Sequence, residues 1–286
     1  MICYLGKISL LSYVLTILSF SLTFLPSANY NYLSVNIFVL ILAISSHFIL
    51  INVFVKLICK GETYQVAVRA VLLGYVFSLG VFIKIYGNEI WKIFAVYMCI
   101  LSFFHTTEYL SMAVIQPNLV NTDSYVINHS REYTIAAVAS WTEFFLEAYF
   151  LPDLKCFMWL SNIGAIICIC GEILRKAAML TAKSNFTHMV QCEKQPDHVL
   201  VTHGIYRLCR HPSYVGWFYW SIGTQITLLN PFCTLAYTFV SWKFFKERIH
   251  IEEITLLHFF GQQYHEYQQK VSTGIPFIEG YKLKSL

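Results

Sequence analysis

Charged side chains are missing from long reaches of the chain: none of Asp, Glu, Lys or Arg falls between Ile8 and Val55, and none between His211 and Trp242. A helix needs about 20 apolar residues to cross a hydrocarbon core, so gaps of this length indicate a bilayer. A first run ends at Pro26 and a second covers Leu33 to Val55, joined by the short polar turn Ser27 to Asn31. Lys7 ahead of the first run imitates a signal peptide, but the second run following so closely points to an uncleaved helical hairpin. Six further runs centre on Val66 to Tyr86, Ile90 to Ile115, Tyr133 to Leu151, Phe157 to Leu180, Pro212 to Asn230 and Phe232 to Phe245. As one helix, the last uncharged stretch would reach roughly 48 Å, too long for a ~30 Å core. Asn230-Pro231 breaks it into a hairpin.

The expected fold is therefore all-α, a polytopic membrane protein with eight crossings and both termini on one side. Lys7, Lys56, Lys60, Arg175, Lys176, Lys183, Lys243 and Lys246 share that side, which the positive-inside tendency makes cytosolic. Lys84 and Lys92 fall on the other side, against the trend. Two regions are expected: N-terminal membrane helices over residues 1–180, and over 181–286 a candidate functional region made of a connection, the last hairpin and a C-terminal helix.

Composition agrees with the bilayer and narrows the chemistry. Of 286 residues, 57% are hydrophobic and 13% charged, against roughly a quarter charged in soluble proteins, which excludes a disordered or ordinary cytosolic chain. A net charge of +4 without a polybasic run gives no sign of nucleic acid. The nine cysteines are odd in number and share no spacing, so they are expected to be apolar fillers rather than disulfide or zinc frameworks.

Polarity concentrates in Thr181 to Arg210 and in the tail from Lys243, helical through Phe260 before Gly261; both flank the last hairpin and so can meet. The connection carries Asn185, His188, Gln191, His198, His203 and Tyr206, a mixture that suits a polar cofactor better than a metal, and no metal is expected. Arg210-His211-Pro212-Ser213-Tyr214-Val215-Gly216 opens the seventh run. Pro212 suits a first helical turn, whose free N–H groups favour an anion. An ordinary interfacial anchor of snorkelling Arg and His explains the same residues. Arg248 and Glu252 stand four apart, either as a surface pair or as a functional one beside the membrane. Sequons at Asn185 and Asn128 fall on the expected cytosolic side. Gly-x-Gly, the soluble dinucleotide fingerprint, is absent.

From Asn185 to Ile278 the chain resembles the isoprenylcysteine carboxyl methyltransferases of the endoplasmic reticulum. The residues that carry the resemblance are Asn-Phe-Thr-His-Met-Val-Gln from 185, His-Val-Leu-Val-Thr from 198, Gly-Ile-Tyr from 204, Arg-His-Pro-Ser-Tyr-Val-Gly-Trp-Phe-Tyr-Trp from 210, Ser-Ile-Gly-Thr-Gln from 221, Arg248 to Glu253, His-Phe-Phe-Gly from 258, and Thr-Gly-Ile-Pro-Phe-Ile from 273. Upstream of Leu180 it is one of membrane-span pattern. The resemblance implies methyl transfer from S-adenosylmethionine to the C-terminal carboxylate of prenylated cysteine in processed CaaX proteins such as small GTPases. It also implies a cytosolic pocket closed by the C-terminal helix. On matching positions, Gln191, His198, Val199, Leu200, Val201, Tyr206, His211, Pro212, Ser213, Tyr214 and Glu252 become cofactor contacts. Arg248 meets the substrate carboxylate, so Arg248 and Glu252 are the expected catalytic pair. Family members often carry a longer acidic run where this chain reads Arg248-Ile-His-Ile-Glu252-Glu253, and His250 stays unassigned.

Phospholipid N-methyltransferases and NADPH-dependent sterol reductases share the Arg-His-Pro-Ser-Tyr element and are the alternatives. A transporter or channel would place its polar residues at mid-membrane. The tail Lys282-Leu-Lys284-Ser-Leu286 resembles a dilysine retrieval signal. With eight crossings, a C-terminal tag on sealed microsomes should be digested by external protease, and a shielded tag refutes the topology.

Overall fold

The computed structural model describes residues 2–25, 36–127, 130–196 and 198–282, and the regular elements among them are all helical. The polar turn at Ser27 to Asn31, Asn128 of one sequon and Lys284 of the retrieval pattern lie outside the described residues. Compactness divides the chain into two units, residues 1–131 and 132–286. It thus groups the helices from Glu132 onwards with the connection that starts at Thr181.

The first unit holds α1 (Tyr4–Phe24), α2 (Ile37–Ile58), α3 (Gly61–Tyr86) and α4 (Glu89–Ile115), each long and apolar enough to cross a membrane. The first four apolar runs fall on these four helices. Small residues on α3 bring α1 close: a Cβ on Gly74 would stand 2.8 Å from the Tyr13 carbonyl oxygen. Tyr125 stacks flat on Tyr109 with ring centroids 4.0 Å apart, and its hydroxyl donates to Ser9 Oγ at 2.7 Å. Lys92 is paired with Glu89 at 2.7 Å. By contrast, α2 buries none of its residues, and Phe38 is 76% exposed. A helix apolar all round is stable in lipid and a liability in water.

The second unit holds α5 (Arg131–Phe150), α6 (Met158–Ala182), α7 (Pro212–Leu228), α8 (Pro231–Phe260) and α9 (Gln262–Lys270). In it α6 and α7 approach backbone to backbone. A Cβ on Gly171 would lie 2.6 Å from the Gly216 carbonyl oxygen, and one on Gly216 would lie 2.5 Å from that of Gly171. Gly223 meets Cys168 and the Gly164 carbonyl in the same way. In lipid, where apolar burial drives little association, such close van der Waals approach holds helices together. The cysteines divide: Cys168, Cys209 and Cys233 are buried fillers, as expected, whereas Cys156, Cys170 and Cys192 are exposed.

Asn230-Pro231 does break the long run, with Leu229 left-handed at φ 57° and Pro231 at the first position of α8. Both helix ends at this turn are closed by charge. Lys155 Nζ, fully buried, donates to the Leu228 and Leu229 carbonyls, each at 2.9 Å, to Asn230 Oδ1 at 3.0 Å and to Glu147 at 2.7 Å. Glu143 accepts the backbone N–H groups of Phe232 and Cys233 at 2.8 and 2.7 Å. A cation at a helix C-terminus and a carboxylate at an N-terminus each complement the helix dipole. Beyond the turn, α8 runs unbroken for 30 residues, about 45 Å. The eighth run and the polar tail are therefore one helix, which stops only at Gly261, φ 52°.

Removing one member of a buried ion pair costs about 3–5 kcal/mol. Lys155→Met should lower the melting temperature in detergent accordingly, because it also frees two helix-terminal carbonyls. Lys155→Arg should lose less.

Candidate active site

A pocket opens at the entrance to α7. Its walls come from Asn185 to Thr187, Met189 to Gln191 and His198 to Val199 of the connection, from Tyr206 and Arg210 to Tyr214, and from Glu252, Thr255, Leu256, Phe259 and Phe260 of α8. The α8 residues are spaced three, four and seven apart, which puts them on one helical face. Asn185 pins the connection: its Oδ1 accepts the Val199 N–H at 2.8 Å while its Nδ2 donates to the Ala182 carbonyl at 3.3 Å. Lys194 Nζ holds the same segment to α8 through the Phe259 carbonyl at 2.8 Å.

Tyr214 organises one side. Its hydroxyl donates to Glu252 Oε2 at 2.5 Å and accepts from Arg248 Nε at 3.2 Å. Arg248 and Glu252 therefore meet through a phenol and not as a direct surface pair. An Arg248 Nη also donates to the His188 carbonyl. Two of its donors are thus spent on aiming the guanidinium.

The next residue of α8, Glu253, turns about 100° away from Glu252 and is completely buried. Its Oε1 accepts from Arg210 Nε at 2.8 Å, His211 Nε2 at 3.0 Å and Tyr264 OH at 3.2 Å. Its Oε2 accepts from Gln268 Nε2 at 3.1 Å and the Tyr281 N–H at 2.8 Å. Burial alone would raise this carboxyl's pKa, yet His211 and Arg210 together hold it below the ordinary value. Arg210 spends its other donors on the Gln268, Val271 and Glu279 carbonyls, clasping α9 and the tail against the α7 entrance. Burial also raises the pKa of Tyr206, on the pocket wall, and pushes the Cys209 thiol up to about 11.

Nine of the expected cofactor contacts share this pocket: Gln191, His198, Val199, Tyr206, His211, Pro212, Ser213, Tyr214 and Glu252. Leu200 and Val201 are not on its lining, and Arg248 adjoins it through Tyr214. Three residues with central positions had no role in the sequence: Glu253, Arg210 and Arg175. Arg175, expected as a cytosolic charge, is 1% exposed; its Nη donates to Ser213 Oγ at 2.7 Å and its guanidinium lies 4.6 Å from the Trp217 ring. An arginine inside an apolar run, facing glycines, was the available signal.

The family model for isoprenylcysteine carboxyl methyltransferases matches residues 164–258. A Tribolium castaneum protein-S-isoprenylcysteine O-methyltransferase is 55% identical over 278 residues, 97% of this chain and 98% of that protein. The chain belongs to the isoprenylcysteine carboxyl methyltransferase family. The family's human protein-S-isoprenylcysteine O-methyltransferase is 51% identical over 82% of each chain. A solved structure titled as the eukaryotic intramembrane Ras methyltransferase of this family superposes with a TM-score of 0.94 at 55% identity, covering 98% of this chain and all of that one. The likeness thus extends through the N-terminal helices, where the sequence offered only a pattern of spans. The matched segment 164–258 takes in the glycine contact, most of the pocket and both Glu252 and Glu253.

Glu253 stabilises the clasp above the ordinary carboxylate range, and this contribution is lost as the pH falls through its lowered value. The C-terminal segment should accordingly resist protease at neutral pH and become cleavable on acidification. Gly280, at φ 80°, abuts Glu253 so closely that a Cβ would overlap the carboxylate. Gly280→Ala should open the segment already at neutral pH, losing more than the roughly 1–2 kcal/mol of left-handed backbone strain.

Proposed function

We propose that this chain transfers a methyl group from S-adenosylmethionine to the C-terminal α-carboxylate of an S-isoprenylated cysteine, forming a methyl ester. The observation that carries this reading is the Arg248, Tyr214 and Glu252 chain beside a pocket, in a member of this family. The pocket's side chains suit the cofactor: Glu252 offers a carboxylate to a cationic group, and Phe259, Phe260 and His198 offer rings to a purine. Gln191, His198 to Val201, Tyr206, His211 to Tyr214 and Glu252 are the residues proposed to hold it. When bound, the cofactor supplies a methyl group made electrophilic by a sulfonium.

This chain's own residues then have two tasks, alignment and dehydration. An α-carboxylate with a reference pKa of about 3.3–3.7 is already an anion at neutral pH, so no general base is required. Arg248, aimed by Tyr214 and the His188 carbonyl, holds that anion in line for attack. Bound ligands filling the pocket remove water from the nucleophile. The prenyl chain lies between helices and enters from the lipid, since the substrate is itself membrane-anchored. Processed CaaX proteins, small GTPases among them, are the proposed substrates.

In this reading α5 to α8 add four crossings to the four of the first unit. Both termini and the pocket face the cytosol, and the membrane is that of the endoplasmic reticulum. Residues 1–180 form the membrane scaffold and 181–286 the catalytic region. The eight apolar runs, each falling on one helix, support the count.

Arg248→Ala should lower methylation of farnesylcysteine by about thirty- to a thousandfold, a loss of roughly 2–4 kcal/mol, while leaving cofactor affinity largely intact. Lys at 248 should rescue poorly because it lacks the planar fork. Glu252→Ala should instead weaken S-adenosylhomocysteine binding. Near-normal turnover with Lys, or unchanged affinity without Glu252, rejects the respective role.

A further inference from the structure

The segment Thr273 to Ile278 carries a family motif to which neither pocket nor chemistry assigns a purpose. Most of it is packed inward: Thr273, Ile275 and Ile278 are buried, the two isoleucines in a core with Val215, Phe245 and Ile249. The turn is closed tightly, with Thr273 Oγ1 donating to the Ile278 carbonyl and the Ile278 N–H to the Ile275 carbonyl at 3.2 Å. One residue goes the other way. Phe277 is 94% exposed, the most exposed large apolar side chain among the described residues, and its backbone is left-handed at φ 63°. Such a backbone is rare for a bulky residue.

A single exposed hydrophobic residue needs no explanation by itself; its surroundings supply one. Trp242 Nε1 donates to the Pro276 carbonyl at 2.9 Å, so the turn is tied to α8 next to Phe277. Lys246 Nζ lies 4.9 Å from the Trp242 ring. Lys243 and Lys246 follow Trp242 directly after the uncharged reach of α8, where Phe239 and Val240 are exposed. Tryptophan and lysine together mark the level at which a helix leaves hydrocarbon.

We propose that Phe277 inserts into the interfacial layer of the bilayer and anchors the C-terminal segment to lipid. The inference rests on the reading that α8 crosses the membrane and leaves it near Trp242. The same segment is clasped on its inner side, where the Arg210 N–H donates to the Ser272 carbonyl at 2.8 Å and the His211 N–H to that of Thr273 at 3.3 Å. One turn thus joins the pocket wall to the membrane surface.

Photo-crosslinking of the full chain in phosphatidylcholine vesicles tests this, with benzoylphenylalanine introduced in turn as Phe277→X, Phe239→X and Glu279→X, and mass spectrometry of the peptides. All three positions are exposed, so the label disturbs no packing. Lipid adducts are expected at 277 and 239 and none at 279. An adduct at 239 without one at 277 overturns the anchor and leaves the α8 crossing standing. Absence at both overturns the crossing and the anchor with it. Equal labelling at 277 and 279, or an adduct from 277 to a second polypeptide, also overturns the anchor.

Discussion

A carboxylate taken fully out of water must have every lone pair answered, and Glu253 imposes that condition on the second unit. Its five donors come from the α7 entrance, from α9 and from the chain after α9, segments that share no helix. Burying the charge unpaired would cost several kcal/mol, so the partners assemble together or the clasp does not close. Arg210 and His211 sit immediately before Pro212, which means that the pocket wall inherits its position from this buried charge. On α8 Glu252 lines the pocket and its neighbour Glu253 closes the clasp, so one helix serves both.

Tyr214 plays the corresponding part on the pocket side. A direct Arg248 to Glu252 pair would spend the guanidinium's donors on the carboxylate and turn it along the helix. With a phenol interposed, the carboxylate is bonded through Tyr214, and guanidinium donors are left for an anion. Helix spacing alone cannot distinguish these arrangements, because both place the two side chains on the same face.

Apolar runs were read correctly because a bilayer forces every backbone group into a helix and allows few interruptions; Asn230-Pro231 was legible for the same reason. The glycine contact was also written in the sequence, in the seven-residue spacings of Gly164 with Gly171 and Gly216 with Gly223, but small residues leave no mark in a hydropathy pattern. Glu253 was not legible, and Arg175 left only the trace of an arginine inside an apolar run. Their partners lie tens of residues away, and a buried acid beside an exposed-looking one reads as two surface charges. For the pocket, motif resemblance located nine positions on the lining, while Leu200 and Val201, neighbours in sequence of a lining residue, are not on it.

The length of α8 has a consequence for where the chemistry takes place. Arg248 is 17 residues from Pro231, roughly 26 Å along an uninterrupted helix with no glycine or internal proline to absorb a displacement. The far end is fastened by Glu143 and Lys155. The stretch from Pro231 to Arg248, and not the whole helix, is therefore comparable in length with a hydrocarbon core of about 30 Å. In the proposed orientation the membrane acts as a ruler: its thickness decides whether the guanidinium stands level with the carboxylate of a lipid-anchored cysteine, or above it in water.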